Sequence, residues 1–224
     1  TNMNYSDLKF EYPLYLLEVF CILSGIYNND KKEESYLVGG CVRDILLNKN
    51  PKDFDVVTSV QIENVITEFS NNGWKVSEAG KQFLVCIISK NGISIEIANF
   101  RNDLTYIDGR RPEAVEIGTI EDDWKLRDIT INALYCNPFT GEILDPSKKG
   151  LLDLKNKIIR MNGKAEDRIK EDLLRIMRVY RFASVLKFEI DKKTLIACRK
   201  HFNEMMIKIP GERIKNEIEK IVGI

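Results

Sequence analysis

The sequence predicts an α+β protein: an N-terminal part built on a mixed or antiparallel sheet, followed by an all-helical part. Short β-branched segments bounded by turn residues recur through residues 1–155. One pair of them, Phe83 to Ser89 and Ile93 to Phe100, flanks Asn91-Gly92, a strong hairpin signal. From Lys164 onward the strand pattern gives way to helical spacing. Charge is sorted along the same division. Residues 1–150 carry 16 Lys and Arg against 23 Asp and Glu, and residues 151–224 carry 18 against 11, within a chain of zero net charge. The predicted division is 1–155 and 156–224.

The elements follow in order. Pro13 to Ile26 has a proline in its first turn and helical spacing, and Asn28-Asn29-Asp30 stops it. Tyr36-Leu37-Val38 is a short strand running into Gly39-Gly40, after which Val42 to Leu47 has helical spacing. Phe54, Val56 and Val57 mark the next strand, and Ile62 to Phe69 the next helix. The hairpin comes after these. Arg101 to Pro112 is polar and reads as an exposed loop. Ala114 to Ile117 and Ile129 to Tyr135 are extended segments on either side of a helical turn near Asp122 to Lys125. Helices are expected through Leu186, from Lys192 to His201 and from Glu212 to Val222.

Composition sets outer bounds. At 224 residues, 44% hydrophobic and 30% charged, the chain can bury a substantial core, which excludes a disordered tail or a low-complexity protein. Five scattered cysteines show no C-x-x-C spacing, so neither a zinc knuckle nor a disulfide framework is expected. The longest apolar run, Leu14 to Ile26, is broken by Glu18 and too short for a bilayer, and no signal-peptide pattern precedes it. The expectation is a soluble cytoplasmic protein with no membrane partner. The basic C-terminal part suits a polyanion, although lysine-rich solvated helix faces give the same count.

The chemistry concentrates at Asp53 and Asp55. On a strand they project to one side, roughly 6 to 7 Å apart, a spacing that lets two carboxylates share a pair of Mg²⁺ ions. A lone D-x-D is more often a polar strand face. Here it follows Gly39-Gly40 at a predicted helix start, where backbone N–H groups and Arg43 can receive phosphate oxygens. Asp44 orients Arg43 or helps the helix begin.

The run Leu37-Val-Gly-Gly-Cys-Val-Arg-Asp44, followed by Asp53-Phe-Asp55, resembles the first motif of the class II tRNA nucleotidyltransferase and poly(A) polymerase family, in the polymerase-beta-like superfamily. The resemblance extends over about residues 35–222. Ile95-Glu-Ile-Ala-Asn-Phe-Arg101 is similar to the strand leading into the family's flexible loop, and Tyr106 to Pro112 to that loop's far end. Glu96 there is a candidate third carboxylate, or a surface strand residue. Arg127-Asp-Ile-Thr-Ile-Asn-Ala133 resembles the ribose-recognition motif, with Leu126 where the family usually carries an arginine. Asp145-Pro146 to Asp153 resembles the hinge between head and neck, and Ile209 to Glu217 the motif that supports the neck.

Glu171-Asp172-Leu-Leu-Arg175-Ile-Met-Arg178-Val-Tyr-Arg181-Phe182 resembles the motif whose side chains select the incoming base. Read as one helix, Asp172, Arg175 and Arg178 form a polar stripe. Seen alone, that stripe reads first as a salt-bridged solvated face.

The resemblance implies a nucleotidyltransferase head followed by a helical neck, and metal-dependent, template-independent addition of CCA from CTP and ATP to the tRNA 3′ end. Asp53 and Asp55 would hold Mg²⁺. Gly39, Gly40, Arg43, Arg127, Asp128, Asp172, Arg175, Arg178 and Arg181 would bind nucleotide. Gly80-Lys81-Gln82-Phe83 lacks the basic pair of bacterial poly(A) polymerases, which favours CCA addition over polyadenylation, the intact Arg101 to Pro112 loop argues against CC-only addition, and A-only addition stays open. A non-catalytic RNA-binding or NTP-sensing module is the contrasting class. His201 reads as a surface or capping residue.

Overall fold

The computed structural model describes residues 3–4, 10–28, 31–107 and 111–223. The first elements are β1 (Met3–Asn4), α1 (Leu14–Ser24), the paired β2 (Tyr27–Asn28) and β3 (Lys31–Lys32), β4 (Ser35–Val38) and α2 (Gly40–Leu46). Next come β5 (Asp55–Thr58), α3 (Ile62–Asn71), β6 (Lys75–Ser77), β7 (Val85–Lys90) and β8 (Ile93–Asn99). A ribbon of β9 (Arg101–Ile107) and β10 (Arg111–Ile117) leads to α4 (Ile120–Leu126), β11 (Tyr135–Cys136), β12 (Glu142–Leu144) and α5 (Gly150–Asn156). The remainder holds β13 (Ile158–Ile159), α6 (Ala165–Glu171), α7 (Arg175–Leu186), β14 (Glu189–Ile190), α8 (Lys192–Lys208) and α9 (Gly211–Val222).

Eight strands form one sheet in the order β1-β12-β11-β4-β5-β8-β7-β6. Its pairs are antiparallel except β5 on β8, which is parallel and therefore needs the long crossover through α3, β6 and β7. The α+β expectation and the mixed sheet are both met. Val56, Ile88, Ile95 and Ile97 join Leu16, Phe20, Val65 and Phe69 of α1 and α3 in the main core. That cluster continues into Ile169, Ile176, Val179 and Ile214 of the later helices. The alternate residues Val38 and Val57, with Phe100 and Tyr135, form a smaller cluster under Ile120 and Trp124 of α4.

Several expectations are corrected. Arg101 to Pro112 is no loop: Arg101 pairs with Ile117 and Ile107 with Arg111, and only 108–110 lie outside the described residues. A two-stranded ribbon needs no alternating apolar face, so its polar sequence hid it. The expected strand Ile129 to Tyr135 is mostly a 3₁₀ turn over Thr130–Asn132, leaving Tyr135–Cys136 as strand. The later part is not wholly helical, because β13 and β14 pair in parallel. Two-residue strands leave no periodic trace.

His201 is 8% exposed rather than superficial, with Nδ1 3.0 Å from Glu204 Oε2. The five cysteines are unpaired. Among the described residues no helix is long and apolar enough to cross a membrane.

Asp153, 2% exposed, ties this framework together. It accepts from Thr130 Oγ1 at 2.7 Å and from Arg160 Nε at 2.9 Å, while Arg160 Nη1 reaches Asp191 at 2.6 Å. Breaking a buried pair strands the partner's charge. Asp153→Ala is therefore expected to lower unfolding free energy by about 3 kcal/mol, read from the urea midpoint. An unchanged midpoint would show that the 3₁₀ turn is held by other means.

Candidate active site

Strand β4 delivers Gly39 to a backbone conformation, φ 79°, that side chains other than glycine rarely adopt. A Cβ built there would lie 3.9 Å from both Asp55 Oδ2 and Arg127 Nη1, so the turn sits against both groups. Gly40 opens α2, and Arg43 in its first turn is fixed from two sides. Its Nε and Nη2 donate to Asp44 Oδ1 at 2.9 and 2.7 Å, and Nη1 donates to Asn132 Oδ1 at 2.9 Å. Asp44 thus orients Arg43, the first of the two roles expected for it.

Asp55 is the first residue of β5, whereas Asp53 lies in the bend before it, not on the strand as expected. The two remain electrostatic neighbours. Burial, with Asp53 beside it, raises the Asp55 carboxyl above its ordinary pKa, and Arg127 pulls the other way. Glu96 is the register partner of Asp55 on β8. Its pKa is also raised, by burial first and Asp55 second, against Arg127. Such mutually repelling carboxylates favour a cation between them. Among the described residues no three acidic, thiol or imidazole groups converge into a complete cage, so other ligands must finish any such site.

Gly39, Gly40, Asp55, Arg127, Asp128 and Arg178 line one open cleft of about 280 Å³, with Leu126 and Asn132 at its wall. Arg127 is set by a buried hub. Asp123 Oδ2 accepts from Arg127 Nε at 2.9 Å and Nη2 at 2.8 Å, and from the Tyr135 hydroxyl at 2.6 Å. Burial opposes the Arg127 charge, but Asp123 and Tyr135 outweigh it and raise its pKa. The other Asp123 oxygen accepts from the Arg101 backbone N–H at 3.3 Å, where the β9–β10 ribbon begins.

The helical part closes the cleft through Asp128. Arg175 Nε reaches Asp128 Oδ1 at 3.1 Å and Arg178 Nη2 reaches Oδ2 at 2.6 Å. Arg175 also donates to Glu171 Oε2 and to the Arg168 carbonyl.

The expected single stripe is interrupted. Helix α6 ends at Glu171, and Asp172 is extended, with φ −149°, accepting the Leu174 N–H at 3.0 Å. Aspartate competes well for backbone donors and so ends one helix while starting the next. Arg181 lies apart from the cleft lining: its Nε donates to Glu217 Oε2 of α9 at 2.6 Å, and its guanidinium stacks 4.2 Å from the Phe182 ring centroid.

Sequence reasoning thus named most of the lining and missed the supports. Asn132 stood inside a motif already singled out, and Asp123 of α4 precedes Arg127, the residue just past that helix, by four positions, a readable i, i+4 pair. Arg168, whose Nη2 donates to the Leu126 carbonyl at 2.6 Å, left no local signal.

The cleft thus joins a mixed sheet, a carboxylate beside a Gly-Gly turn and an arginine from α7. The family model described as the Poly A polymerase head domain matches residues 35–160, and the chain belongs to that family. It is 40% identical over 190 residues to the CCA-adding enzyme of Streptococcus pyogenes serotype M5 (strain Manfredo), an alignment covering 84% of this chain and 46% of that protein. The crystal structure of the Bacillus stearothermophilus CCA-adding enzyme in complex with CTP superposes with a TM-score of 0.79 at 30% identity, over 95% of this chain and 49% of that one. A Thermotoga maritima CCA-adding enzyme complexed with tRNA gives 0.77 at 26% identity, over 99% and 50%. The chain spans about half the length of the relatives it matches.

Asp123→Ala removes the acceptor that aims Arg127. Hydrogen bonds to charged groups contribute about 1.5–3 kcal/mol, so nucleotide affinity is expected to fall on the order of 10-fold or more, while Tyr135→Phe is milder. Titration of CTP into each variant checks this. Equal affinities would leave Asp123 a packing residue only.

Proposed function

We propose that the chain is the catalytic head and base-selecting neck of a tRNA nucleotidyltransferase that adds CCA, from CTP and ATP, to the tRNA 3′ end and releases pyrophosphate. The observation that carries this reading is the meeting of Asp55, the Gly39-Gly40 turn, Arg127 and Asp128 in one cleft, with Arg178 entering from α7. The relatives named as CCA-adding enzymes supply the choice of CCA. The head is assigned to residues 1–155 and the neck to 156–224. Five free cysteines, four of them buried, suit a reducing cytoplasm.

Asp53 and Asp55 would hold Mg²⁺. An all-oxygen carboxylate pair suits that ion, which is commonly bound by one or two carboxylates plus substrate phosphates. Bound there, the ions would polarise the α-phosphate and stabilise the attacking and leaving oxygens. The glycine turn admits the triphosphate, and Arg43 and Arg127, already oriented, receive its oxygens. Each Asp128 oxygen holds one arginine and keeps a lone pair for a ribose hydroxyl. Asp172 and Arg175 present acceptor and donors to the base edge. Arg181 supports α7 through Glu217.

The test is incubation with tRNA lacking CCA, and with tRNA ending in CC, using each labelled nucleotide in turn. CTP incorporation on the first and ATP on the second is expected. Binding without incorporation would point to a sensing module instead. Asp53→Ala and Asp55→Ala should each lower incorporation at least ~100-fold, of the order of losing an electrostatic contact made in the transition state, while RNA binding survives. Normal turnover by both would remove the metal assignment.

Arg175→Lys keeps the charge and loses the planar fork. Discrimination of CTP and ATP from UTP should drop ~10-fold, the scale of one bidentate contact. Undiminished selectivity would place base reading elsewhere.

A further inference from the structure

Asp53 stands in a bend that the backbone does little to hold. The connection from α2 to β5 is tied at its start, where the Asn48 N–H donates to the Ile45 carbonyl at 2.9 Å and the Lys49 N–H to the Asp44 carbonyl at 2.8 Å. Beyond that point, among the described residues, no hydrogen bond outside the β4–β5 ladder involves residues 50–54. Lys52 and Asp53 are exposed. A carboxylate free to swing makes a poor metal ligand, since such groups must be held to about 0.5 Å.

Phe54, between the two aspartates, supplies the missing hold. It is 7% exposed and belongs to the main core. Two rings close on it from the start of the chain. Phe10 lies with its ring centroid 6.5 Å away, and Tyr15, in the first turn of α1, meets it edge-on at 6.4 Å and 70°. Phe10 also packs edge-to-face on Tyr12 at 5.0 Å, and the Tyr12 hydroxyl lies 3.3 Å from Cys136 Sγ on β11. Tyr15 is followed along α1 by Leu16, Val19 and Leu23, all buried. The rings that grip Phe54 are thus fixed to β11 and to the core, not to the bend they steady. An aromatic pair is worth roughly 2- to 10-fold in an equilibrium.

We propose that Phe10 and Tyr15 are positioning residues for the metal-binding pair: by closing on Phe54 they hold the bend so that the Asp53 carboxylate stands beside Asp55. The proposal rests on the reading of Asp53 and Asp55 as metal ligands. Neither ring lines the cleft, so the effect passes through Phe54. A misplacement of about 1 Å can cost on the order of 100-fold in rate, which gives a contact outside the cleft a measurable consequence inside it.

The test measures Mn²⁺ binding by electron paramagnetic resonance, the Mg²⁺ dependence of incorporation and metal-free CTP affinity in Phe10→Ala, Tyr15→Ala and Tyr15→Phe, well below their melting temperatures. Phe69→Leu, in a fully buried ring of α3 packed on Trp74, controls for general destabilisation. Each alanine variant should weaken Mn²⁺ binding, and raise the Mg²⁺ needed for half-maximal incorporation, about 5-fold, with CTP affinity unchanged. Tyr15→Phe keeps the ring and should bind Mn²⁺ as the parent does. Phe69→Leu should lower the melting temperature and leave Mn²⁺ affinity alone. If an alanine variant does not fold, Phe10→Leu and Tyr15→Leu, which keep apolar volume without the ring, carry the same expectation. Mn²⁺ binding that is lost in Asp53→Ala yet unaltered in the Phe10 and Tyr15 variants would overturn the clamp and leave the metal reading standing. An equal loss in Phe69→Leu would reduce the clamp to core packing and also overturn it. Mn²⁺ binding indifferent to Asp53→Ala would remove the metal reading, and the clamp with it.

Discussion

The cleft depends on one constraint, the register of three strands. Val38 sits opposite Asp55, and Asp55 opposite Glu96. That row brings the end of β4, and so Gly39, against the first carboxylate and sets the second carboxylate one strand away. A slip of one residue would turn Asp55 into the apolar core and bring Val56 to the cleft. The slip is resisted because Val56 is 1% and Val57 0% exposed, each committed to a different cluster. Burial on both faces thus fixes where the charges stand.

The second requirement is that helices reach the sheet's site, and here arginine is the connector. Asp128 holds Arg175 and Arg178 of α7, while Arg168 of α6 donates to the Leu126 carbonyl, so the segment 126–128 is gripped from the helical side. Arg168 and Arg175 are themselves ordered by a further acceptor, the Glu171 carboxylate. Planar guanidinium groups lose little further freedom when they bind. Nucleotide would therefore meet donors already aimed, and differential binding is the currency of catalysis. Asp123 extends this order to Arg127 and, through the Arg101 N–H, to the base of the β9–β10 ribbon.

Much of this was legible in the sequence for definite reasons. The glycine pair, Arg43 and Asp55 are close in sequence to the turn and strand end that place them, so local spacing pointed to them, whereas Asp128 came only through the resemblance of its motif. Asn91-Gly92 announced its hairpin, which the structure forms between β7 and β8. The break at Asp172 was hidden because helical periodicity runs across it, and only the carboxylate's bond to the Leu174 N–H shows that two helices meet there. Arg181 belonged to the same periodic run, yet a glutamate 36 residues away decides its direction. His201 looked superficial by type and is enclosed between α6 and α8, near Glu166 and Glu204. Long-range partners of charged side chains leave no periodic mark.

The central claim of the proposed function is that Asp53 and Asp55 hold metal ions beside a triphosphate seated over Gly39-Gly40. Anomalous diffraction from crystals soaked with Mn²⁺ and an α,β-methylene analogue of CTP tests it most directly. The account predicts manganese against Asp53 and Asp55, with the triphosphate over Gly39-Gly40 and the ribose at Asp128. Manganese absent from the aspartates, or a triphosphate lying away from the glycine turn, would contradict it.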